Sequence, residues 1–199
     1  MIIDLTMPIS RDIPLYTPDR VPQIKQIASI AKDGWNEHEV RITTHVSTHI
    51  DAPYHFISDS KKLDDFSIEK FIGNGVLVDC RKQKIVTETK AKIRKDDIVL
   101  FYTGQSKKSK KDYGKDAPVI SSSLAKELVK KKVKMIGIDA FSPDNDPYEV
   151  HSILLKNDIL IVENLVNLDK LLGKRFQVIV LPLKLALDGA PCRVIAITK

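Results

Sequence analysis

Short apolar runs recur through the second half of the chain, and each is bounded by charged residues or turn formers. Runs of this length that are rich in Val and Ile are typical of strands buried on both faces. They predict six strands, at residues 76–78, 98–102, 135–138, 159–162, 178–181 and 194–197. Alternation of polar and apolar residues over 37–42 predicts one more strand, directly before a cluster of histidines.

Residues with helical spacing separate several of these runs. Residues 123–133 begin with serines and place apolar residues on one face and Lys residues on the other, which predicts a surface helix. Residues 148–155 and 168–172 predict shorter helices of the same kind, and Gly-Ala-Pro at 189–191 predicts a turn between the last two strands. Strands that alternate with helices favour an α/β layered domain, although the order of the strands does not follow from the sequence.

The length and composition indicate one globular domain. Of 199 residues, 43% are hydrophobic and 29% are charged, and no internal repeat or low-complexity linker divides residues 1–199. The first residues lack the cationic and apolar segments of a secretory signal, and no apolar run approaches the roughly 20 residues of a membrane-spanning helix. We therefore expect a cytoplasmic protein without a membrane partner.

The formal net charge of +6 raises the question of a nucleic-acid partner. Most of the cations are Lys, whereas Arg is the usual residue for reading phosphates and base edges. The densest basic run, residues 106–111 of the Lys-rich stretch 106–115, has few aromatic residues on which bases would stack. We predict a solvated loop and no nucleic-acid partner, with a weak anion-binding surface as the alternative. Cys80 and Cys192 lie far apart inside apolar runs and are predicted to be buried, reduced thiols.

The segment H-V-S-T-H-I-D-A-P-Y-H at residues 45–55 holds three of the five histidines. Imidazole nitrogens and carboxylate oxygens are the usual ligands of zinc and similar divalent cations, so the segment predicts a metal site. Neither a helix nor a strand brings His45, His49 and Asp51 to one ion, so the backbone must bend there. Pro53 is expected to end any helical turn. The alternative is a set of polar side chains hydrogen-bonded within a turn.

Three protein ligands leave a coordination position open for water, which is the arrangement of a catalytic rather than a structural zinc site. His55 follows Asp51 by four residues, and it either completes the ligand shell or stands off the metal and moves protons. Sites of His and carboxylate ligands accept both zinc and manganese, so the sequence does not choose between them.

At these residues the chain resembles the cyclase family of metal-dependent hydrolases, whose best-known members are bacterial kynurenine formamidases. The family pattern H-x-G-T-H-x-D-A-P-x-H-F matches from His45 through Phe56, except that Ser47 replaces the Gly. The resemblance covers nearly the whole chain through Asp4-Leu5-Thr6, Pro8-Ile9, Gly137-Ile138-Asp139, Ser142, Asp144, Pro147, Pro182-Leu183-Lys184, Asp188-Gly189 and Pro191. It implies a swivelling β/β/α layered fold with a mixed central sheet, and a homodimer.

The resemblance also implies a site for two divalent metal ions per subunit. His45, His49 and Asp51 would hold one ion, and Asp51 would bridge to a second ion held by His151 and Glu163. Zinc is the first expectation for both ions, and manganese is the second. His151 and Glu163 are assigned by the resemblance alone, because nothing in their spacing distinguishes them from ordinary polar residues.

The chemistry implied by the resemblance is hydrolysis of a C–N amide bond in a small molecule. A metal-bound hydroxide would attack the carbonyl carbon, and His55 would act as catalytic acid/base and protonate the departing nitrogen. An N-formyl aryl amine such as N-formylkynurenine is the first candidate substrate, and a cyclic amide or a lactone is the alternative.

The chain departs from the family pattern at two positions. Ser47 would be strained by about 1 kcal/mol if this position has a positive φ. Tyr16 stands where the formamidases carry a substrate-packing Trp, so it is predicted to bind substrate and to suit a different or smaller acyl amide. The alternative is a half-exposed aromatic residue in the loop between Pro14 and Pro18.

Two functions of other classes remain as alternatives. A sensor or storage protein would bind the metal without turning over a substrate. A nucleic-acid-binding protein that used the basic surface would show affinity that falls steeply with salt concentration.

Overall fold

The computed structural model of the chain describes residues 1–198. The strands in these residues are β1 Ile2–Asp4, β2 Gln23–Ala28, β3 Glu37–Arg41, β4 His49–Asp51, β5 Ile72–Asp79, β6 Ile85–Val86, β7 Ile98–Tyr102, β8 Val119–Ile120, β9 Met135–Ile138, β10 Leu160–Glu163, β11 Phe176–Pro182 and β12 Gly189–Thr198. The α-helices are α1 Ile30–Asp33, α2 Ser122–Lys131 and α3 Glu149–Leu155. Short 3₁₀-helices lie at Pro53–His55, Leu63–Asp65, Ile68–Phe71, Gln105–Lys107 and Leu168–Leu171.

Seven of the strands close on themselves into one continuous sheet. The hydrogen-bonded order is β12-β11-β5-β7-β9-β10-β4, and β4 pairs back with β12, while β1 lies outside the ring against β12. The pairs β5–β7, β7–β9 and β9–β10 are parallel, and the other pairs in the ring are antiparallel. The α/β class and the mixed sheet are therefore confirmed, whereas the swivelling β/β/α layering and the single domain stay predictions.

The interior and the outer face of the ring are filled by different apolar clusters. Ile98 and Leu100 of β7 join a cluster that collects residues from β4, β9, β10, β11 and β12 and fills the interior. Val99 and Phe101 point the other way, into a cluster with residues of α2 and α3. Successive residues of a strand face opposite sides, so one strand supplies both clusters. The two helices therefore cover only part of the outer face.

All six apolar runs form strands, in β5, β7, β9, β10, β11 and β12. Burial on both faces is confirmed for β7, β9 and β10, whose residues are all buried. The same expectation is wrong for β11 and for the second half of β12, where buried and more exposed residues alternate. β11 and this half of β12 lie away from α2 and α3, so only their inner face is covered.

The turn predicted at residues 189–191 is wrong, because these residues begin β12 and pair with β4. Gly189 has a different role from the one expected. A Cβ at this position would lie 2.6 Å from the carbonyl oxygen of Ile50 and 3.0 Å from Cε1 of His45. Gly189 therefore allows β12 to approach β4 closely enough to close the ring.

The two longer predicted helices are confirmed as α2 and α3. The hydroxyl of Ser121 caps α2 by accepting from the backbone N–H of Leu124, as the Ser-rich start predicted. The third predicted helix, 168–172, is a short 3₁₀-helix whose leucines are buried, so a surface α-helix there is wrong. The strand predicted over 37–42 is β3, which pairs with β2 in an exposed hairpin.

The Lys-rich stretch 106–115 lies on the surface and forms ion pairs with residues that are distant in the sequence. Lys107 lies 2.9 Å from Asp169, and Lys110 lies 2.8 Å from Asp12. Both cysteines are buried free thiols, as predicted. Within residues 1–198, none of the helices has the length and apolar character that a membrane crossing requires.

Candidate metal centre

The backbone bends between His45 and Asp51, as the spacing of the ligands predicted. A turn at residues 44–45 and a bend over 46–48 lead into the three residues of β4. This path brings Nδ1 of His45 to 2.8 Å and Nε2 of His49 to 3.4 Å from the same oxygen, Oδ1 of Asp51. Pro53 begins a 3₁₀-helix rather than ending a helical turn, because the first position of a helix needs no backbone N–H donor.

Ser47 lies at the centre of the bend with a φ of 56°, so the positive φ expected there is confirmed. Its hydroxyl donates to the carbonyl of Met7 at 2.6 Å. Its own carbonyl accepts from Nδ1 of His49 at 2.8 Å and from the side-chain amide of Asn164 at 3.0 Å. The proton of His49 is therefore held on Nδ1, which leaves Nε2 to face the carboxylates.

Two substitutions of Ser47 should separate the contributions of backbone strain and of hydrogen bonding to the stability of the fold. Ser47→Ala keeps the positive φ and loses the bond to Met7, so we expect a loss of roughly 1–2 kcal/mol in the free energy of unfolding. Ser47→Gly loses the same bond but relieves the strain, so it should lie within about 1 kcal/mol of the wild type. Urea denaturation of the metal-free proteins measures both changes. Equal destabilisation by the two variants would contradict this account of the strain.

The register of the sheet and the position of α3 bring Glu163 and His151, the more distant predicted ligands, to this segment. Glu163 is the last residue of β10 and lies opposite His49 of β4, and its Oε2 is 3.3 Å from Nε2 of that histidine. His151 extends from α3 and places Nε2 at 3.4 Å from Oε1 of Glu163 and at 3.7 Å from Oδ2 of Asp51. The five predicted ligands are thus gathered on the outer face of the ring, beside α3.

Several buried side-chain atoms of this cluster that could bind a metal lack a hydrogen-bond partner within residues 1–198. They are Nε2 of His49, Oδ2 of Asp51 and Oε1 of Glu163. A buried polar atom without a partner costs roughly 1–3 kcal/mol, and a divalent cation is the usual group that satisfies imidazole and carboxylate atoms together. The donor set therefore fits the metal ions that the sequence predicts.

Two groups of three residues place ligand atoms within 4.8 Å of one another. One group is His45, Asp51 and His55, and the other is His49, Asp51 and Glu163. Asp51 belongs to both, as a bridging ligand would. The grouping places His49 with Glu163, whereas the resemblance pairs it with His45, so the assignment of each residue to a particular ion stays a prediction.

Asp188 contacts the histidine cluster, although the sequence motifs gave it no role. Its Oδ2 lies 2.7 Å from Nε2 of His45 and 3.7 Å from Nδ1 of His55. The rings of these two histidines stack with centroids 3.9 Å apart. Asp188 therefore orients the imidazole of His45 from the side opposite Asp51, whereas its distance from His55 is too long for a hydrogen bond. The signal available in the sequence was its place in the Asp188-Gly189 motif.

Asp144 orients the distal histidine in the same way. Its Oδ1 lies 2.5 Å from Nδ1 of His151, and its Oδ2 accepts from the backbone N–H of Val150 at 2.6 Å. Nε2 of His151 is thereby directed at the carboxylates of the site. The sequence placed Asp144 in the family's central motif without indicating this contact.

The carboxylates determine the protonation of the metal-free site. Burial lowers the pKa of His45, but hydrogen bonds and charges from Asp51 and Asp188 outweigh it and raise this pKa to about 9. Burial also lowers the pKa of His151, but Asp144, Asp51 and Glu163 outweigh it and raise this pKa to about 12. Burial, together with the charges of His45 and His151, lowers the pKa of His55. His55 is therefore neutral where its neighbours are charged.

Cation binding should release protons and strengthen as the pH rises towards 9. With its pKa raised to about 9, His45 is protonated at neutral pH in the metal-free protein, and a cation must displace that proton. Calorimetry at pH 7 in buffers of different ionisation enthalpy should detect release of about one proton or more per subunit. Zinc binding without proton release would contradict the charged state of His45. The same shift stabilises the metal-free fold below the ordinary pKa of 6.5, and this stabilisation is lost as the pH rises through about 9.

A cavity of about 350 Å³ opens above the cluster. His45, His49, His55, His151 and Glu163 line its base. Its walls carry the aromatic side chains of Tyr16, Phe56, Phe141 and Tyr148. The hydroxyls of Tyr16 and Tyr148 lie 2.6 Å apart, so the N-terminal loop and the start of α3 meet at the cavity. Tyr16 lines this cavity but is 64% exposed, so its role in substrate binding stays a prediction. No role was predicted from the sequence for the other three aromatic side chains.

Known proteins resemble the chain in both sequence and fold. Kynurenine formamidase from Bacillus anthracis is 29% identical over 202 residues, which cover 97% of this chain and 95% of that protein. An uncharacterised protein of Methanocaldococcus jannaschii is 36% identical over 168 residues, which cover 83% of this chain and 84% of that protein. The structure of isatin hydrolase A from Labrenzia aggregata, bound to benzyl benzoate, aligns with a TM-score of 0.88 at 25% identity and covers 98% of this chain and 93% of that chain.

The sequence also matches a family profile described as putative cyclase over residues 3–145. This match includes the histidine cluster at residues 45–55 and extends over more than half of the chain. The resemblance read from the motifs is therefore confirmed, and the chain belongs to the cyclase family.

Proposed function

We propose that the protein is a metal-dependent hydrolase that cleaves a C–N amide bond, with an N-formyl aryl amine as its first candidate substrate. The observation that carries the proposal is the set of buried, unpartnered donor atoms on His49, Asp51 and Glu163 at the base of an aromatic cavity. Relatives named kynurenine formamidase and isatin hydrolase support a hydrolase that acts on an amide.

His45, His49 and Asp51 would hold one divalent cation, and Asp51, His151 and Glu163 would hold the other. Zinc is the first choice, as the resemblance implies, and manganese is the second candidate because imidazole and carboxylate ligands also accept it. When bound, such cations lower the pKa of a coordinated water and polarise a carbonyl group. Asp188 and Asp144 keep the imidazoles of His45 and His151 in place through their second ring nitrogens.

His55 is the residue proposed to move protons. Its side chain is 30% exposed and lines the cavity, whereas those of His49 and His151 are almost fully buried. Because its pKa is lowered, it is available as a neutral base that accepts a proton from the attacking water. The same proton then passes to the amide nitrogen, which is otherwise a very poor leaving group.

The aromatic walls support an aryl group on the substrate. Phe56, Phe141 and Tyr148 line the cavity and would hold a ring by stacking or edge contacts, and Phe56 lies edge-on to His55. A cyclic amide is the second candidate, and the similarity to isatin hydrolase A favours it. A homodimer and a cytoplasmic location also remain proposals from the sequence.

Metal analysis combined with activity assays tests the proposed function. The purified protein should contain zinc or manganese and should hydrolyse at least one of formanilide, N-formylkynurenine, isatin and a simple lactone. Removal of the metal with a chelator should abolish turnover, and its return should restore it. A protein that holds metal but hydrolyses none of these compounds would favour the non-catalytic alternative.

Tyr16 should contribute mainly to substrate binding. Tyr16→Ala removes an aromatic face and the contact with Phe141, so we expect KM for an aryl formamide to rise about fivefold to tenfold. Tyr16→Phe keeps the ring and loses only the bond to Tyr148, and it should change KM less than about threefold. Steady-state kinetics of both variants measures the difference, and an unchanged KM in Tyr16→Ala would remove Tyr16 from the binding site.

A further inference from the structure

The cavity carries a single permanent positive charge that the proposed chemistry does not use. Among residues 1–198, Arg20 is the only Lys or Arg that lines it, and Arg20 is exposed. Lys110 on the neighbouring surface is neutralised by Asp12 at 2.8 Å, whereas Arg20 forms no ion pair within residues 1–198. Its guanidinium is therefore free to pair with a ligand.

A tight turn fixes the backbone of Arg20 beside the cavity. The backbone N–H of Arg20 donates to the carbonyl of Thr17 at 3.1 Å, and Pro18 occupies the second position of this turn, where its fixed φ is favoured. Thr17 is the first residue of this turn, Tyr16 precedes it, and both line the cavity. The bond between the hydroxyls of Tyr16 and Tyr148 ties this loop to α3.

The base, the walls and the Arg20 side of the cavity carry different chemical groups. Its base offers ligand atoms for cations, its walls are aromatic, and Arg20 adds a planar array of N–H donors. A guanidinium matches the two oxygens of a carboxylate in a bidentate pair, which a point charge such as Lys does not. The cations proposed for the base of the cavity would offset the carboxylates of Asp51 and Glu163, which would otherwise repel an anionic ligand. Asp19 is adjacent to Arg20 in sequence, but it forms no ion pair with it within the described residues.

We propose that Arg20 binds a carboxylate on the substrate and makes the enzyme selective for aromatic amides that carry a negative charge away from the amide. This inference rests on the proposed function, which supplies the amide. It adds that the substrate carries a negative charge and that Arg20 binds this charge.

The test compares an acid with its neutral methyl ester. Calorimetry of the metal-loaded protein measures the Kd of 3- and 4-acetamidobenzoate and of their methyl esters, and turnover of formanilide is assayed in parallel. The wild type should bind one of the acids about fivefold more tightly than its ester, which is the upper range for an exposed ion pair. Arg20→Ala should remove this preference, Arg20→Lys should keep part of it, and Arg20→Glu should reverse it. Arg175→Ala removes an exposed Arg that does not line the cavity and should retain the preference.

The outcomes separate this inference from the proposed function. If formanilide is hydrolysed but the acids show no preference, or a preference that survives Arg20→Ala, the role of Arg20 is overturned and the hydrolase proposal stands. Survival of the preference in that variant would indicate that the carboxylate binds the metal ions instead. If formanilide and the other amides resist hydrolysis while the preference depends on Arg20, the anion site stands and the hydrolase proposal fails. Failure of all four compounds to bind would also overturn the inference.

Discussion

Asp51→Asn is expected to lower kcat/KM by at least about a thousandfold, which corresponds to about 4 kcal/mol of transition-state stabilisation. Asp51 is buried and belongs to both groups of ligand atoms, so its loss affects the two proposed cations together. The amide of Asn keeps the size of the side chain but removes the negative charge that offsets the cations. Metal content should fall below one ion per subunit.

Thermal unfolding with and without a chelator separates metal loss from misfolding. A chelator should lower the Tm of the wild type, because a ligand that binds only the folded state stabilises it. It should leave the Tm of Asp51→Asn almost unchanged. Asp97→Asn is a matched control, since Asp97 is also buried but accepts from the backbone N–H of Arg94 outside the cavity. That control should lose stability and retain its metal. Full metal content in Asp51→Asn would contradict the proposed bridging role.

His55→Gln is expected to lower kcat by about a hundredfold to ten-thousandfold, the range usual for loss of a general acid/base. The loss should depend on the leaving group. An anilide with an electron-withdrawing 4-nitro group leaves with less need of a proton, so its hydrolysis should fall less than that of the 4-methoxy compound. Steady-state kinetics on this pair tests proton transfer directly, because a merely structural defect would affect both compounds equally.

Metal content decides between the two roles of His55 that the sequence left open. The structure places a ring nitrogen of His55 within 4.8 Å of ligand atoms of His45 and Asp51, so a ligand role is geometrically available. A proton-transfer residue predicts that His55→Gln retains the metal of the wild type. Loss of metal would instead make His55 a ligand. His38→Gln, an exposed histidine of β3, should change neither metal content nor rate.

The regular elements follow from local patterns. The apolar runs predicted β7 and β9 with their observed bounds, because strands in the middle of a covered sheet are apolar at every position. The same pattern misleads where one face is open, as in β11 and β12, and helical spacing misleads where a 3₁₀-helix replaces an α-helix at Leu168–Leu171. A turn was predicted at Gly189 where a strand begins, because glycine favours turns but also permits the close pairing of strands.

The ligand segment was predictable because its geometry is local. His45, His49 and Asp51 lie within seven residues, and neither periodic backbone brings them together, so their spacing alone requires a bend. The orienting carboxylates were not predictable from the residues alone. Asp188 lies 143 residues from His45 in the sequence and reaches it only because β12 pairs with β4.

The sequence by itself determined the ligand types, the bend that gathers the proximal ligands, the α/β class and, through its motifs, the family. Only the tertiary structure decided that the sheet closes on itself, that β10 places Glu163 beside His49, and that Arg20 lies at an aromatic cavity. The physical reason is the range of the interactions. Helical spacing, alternation and short motifs are set by neighbours along the chain, whereas strand order and register depend on packing between segments that are far apart in sequence.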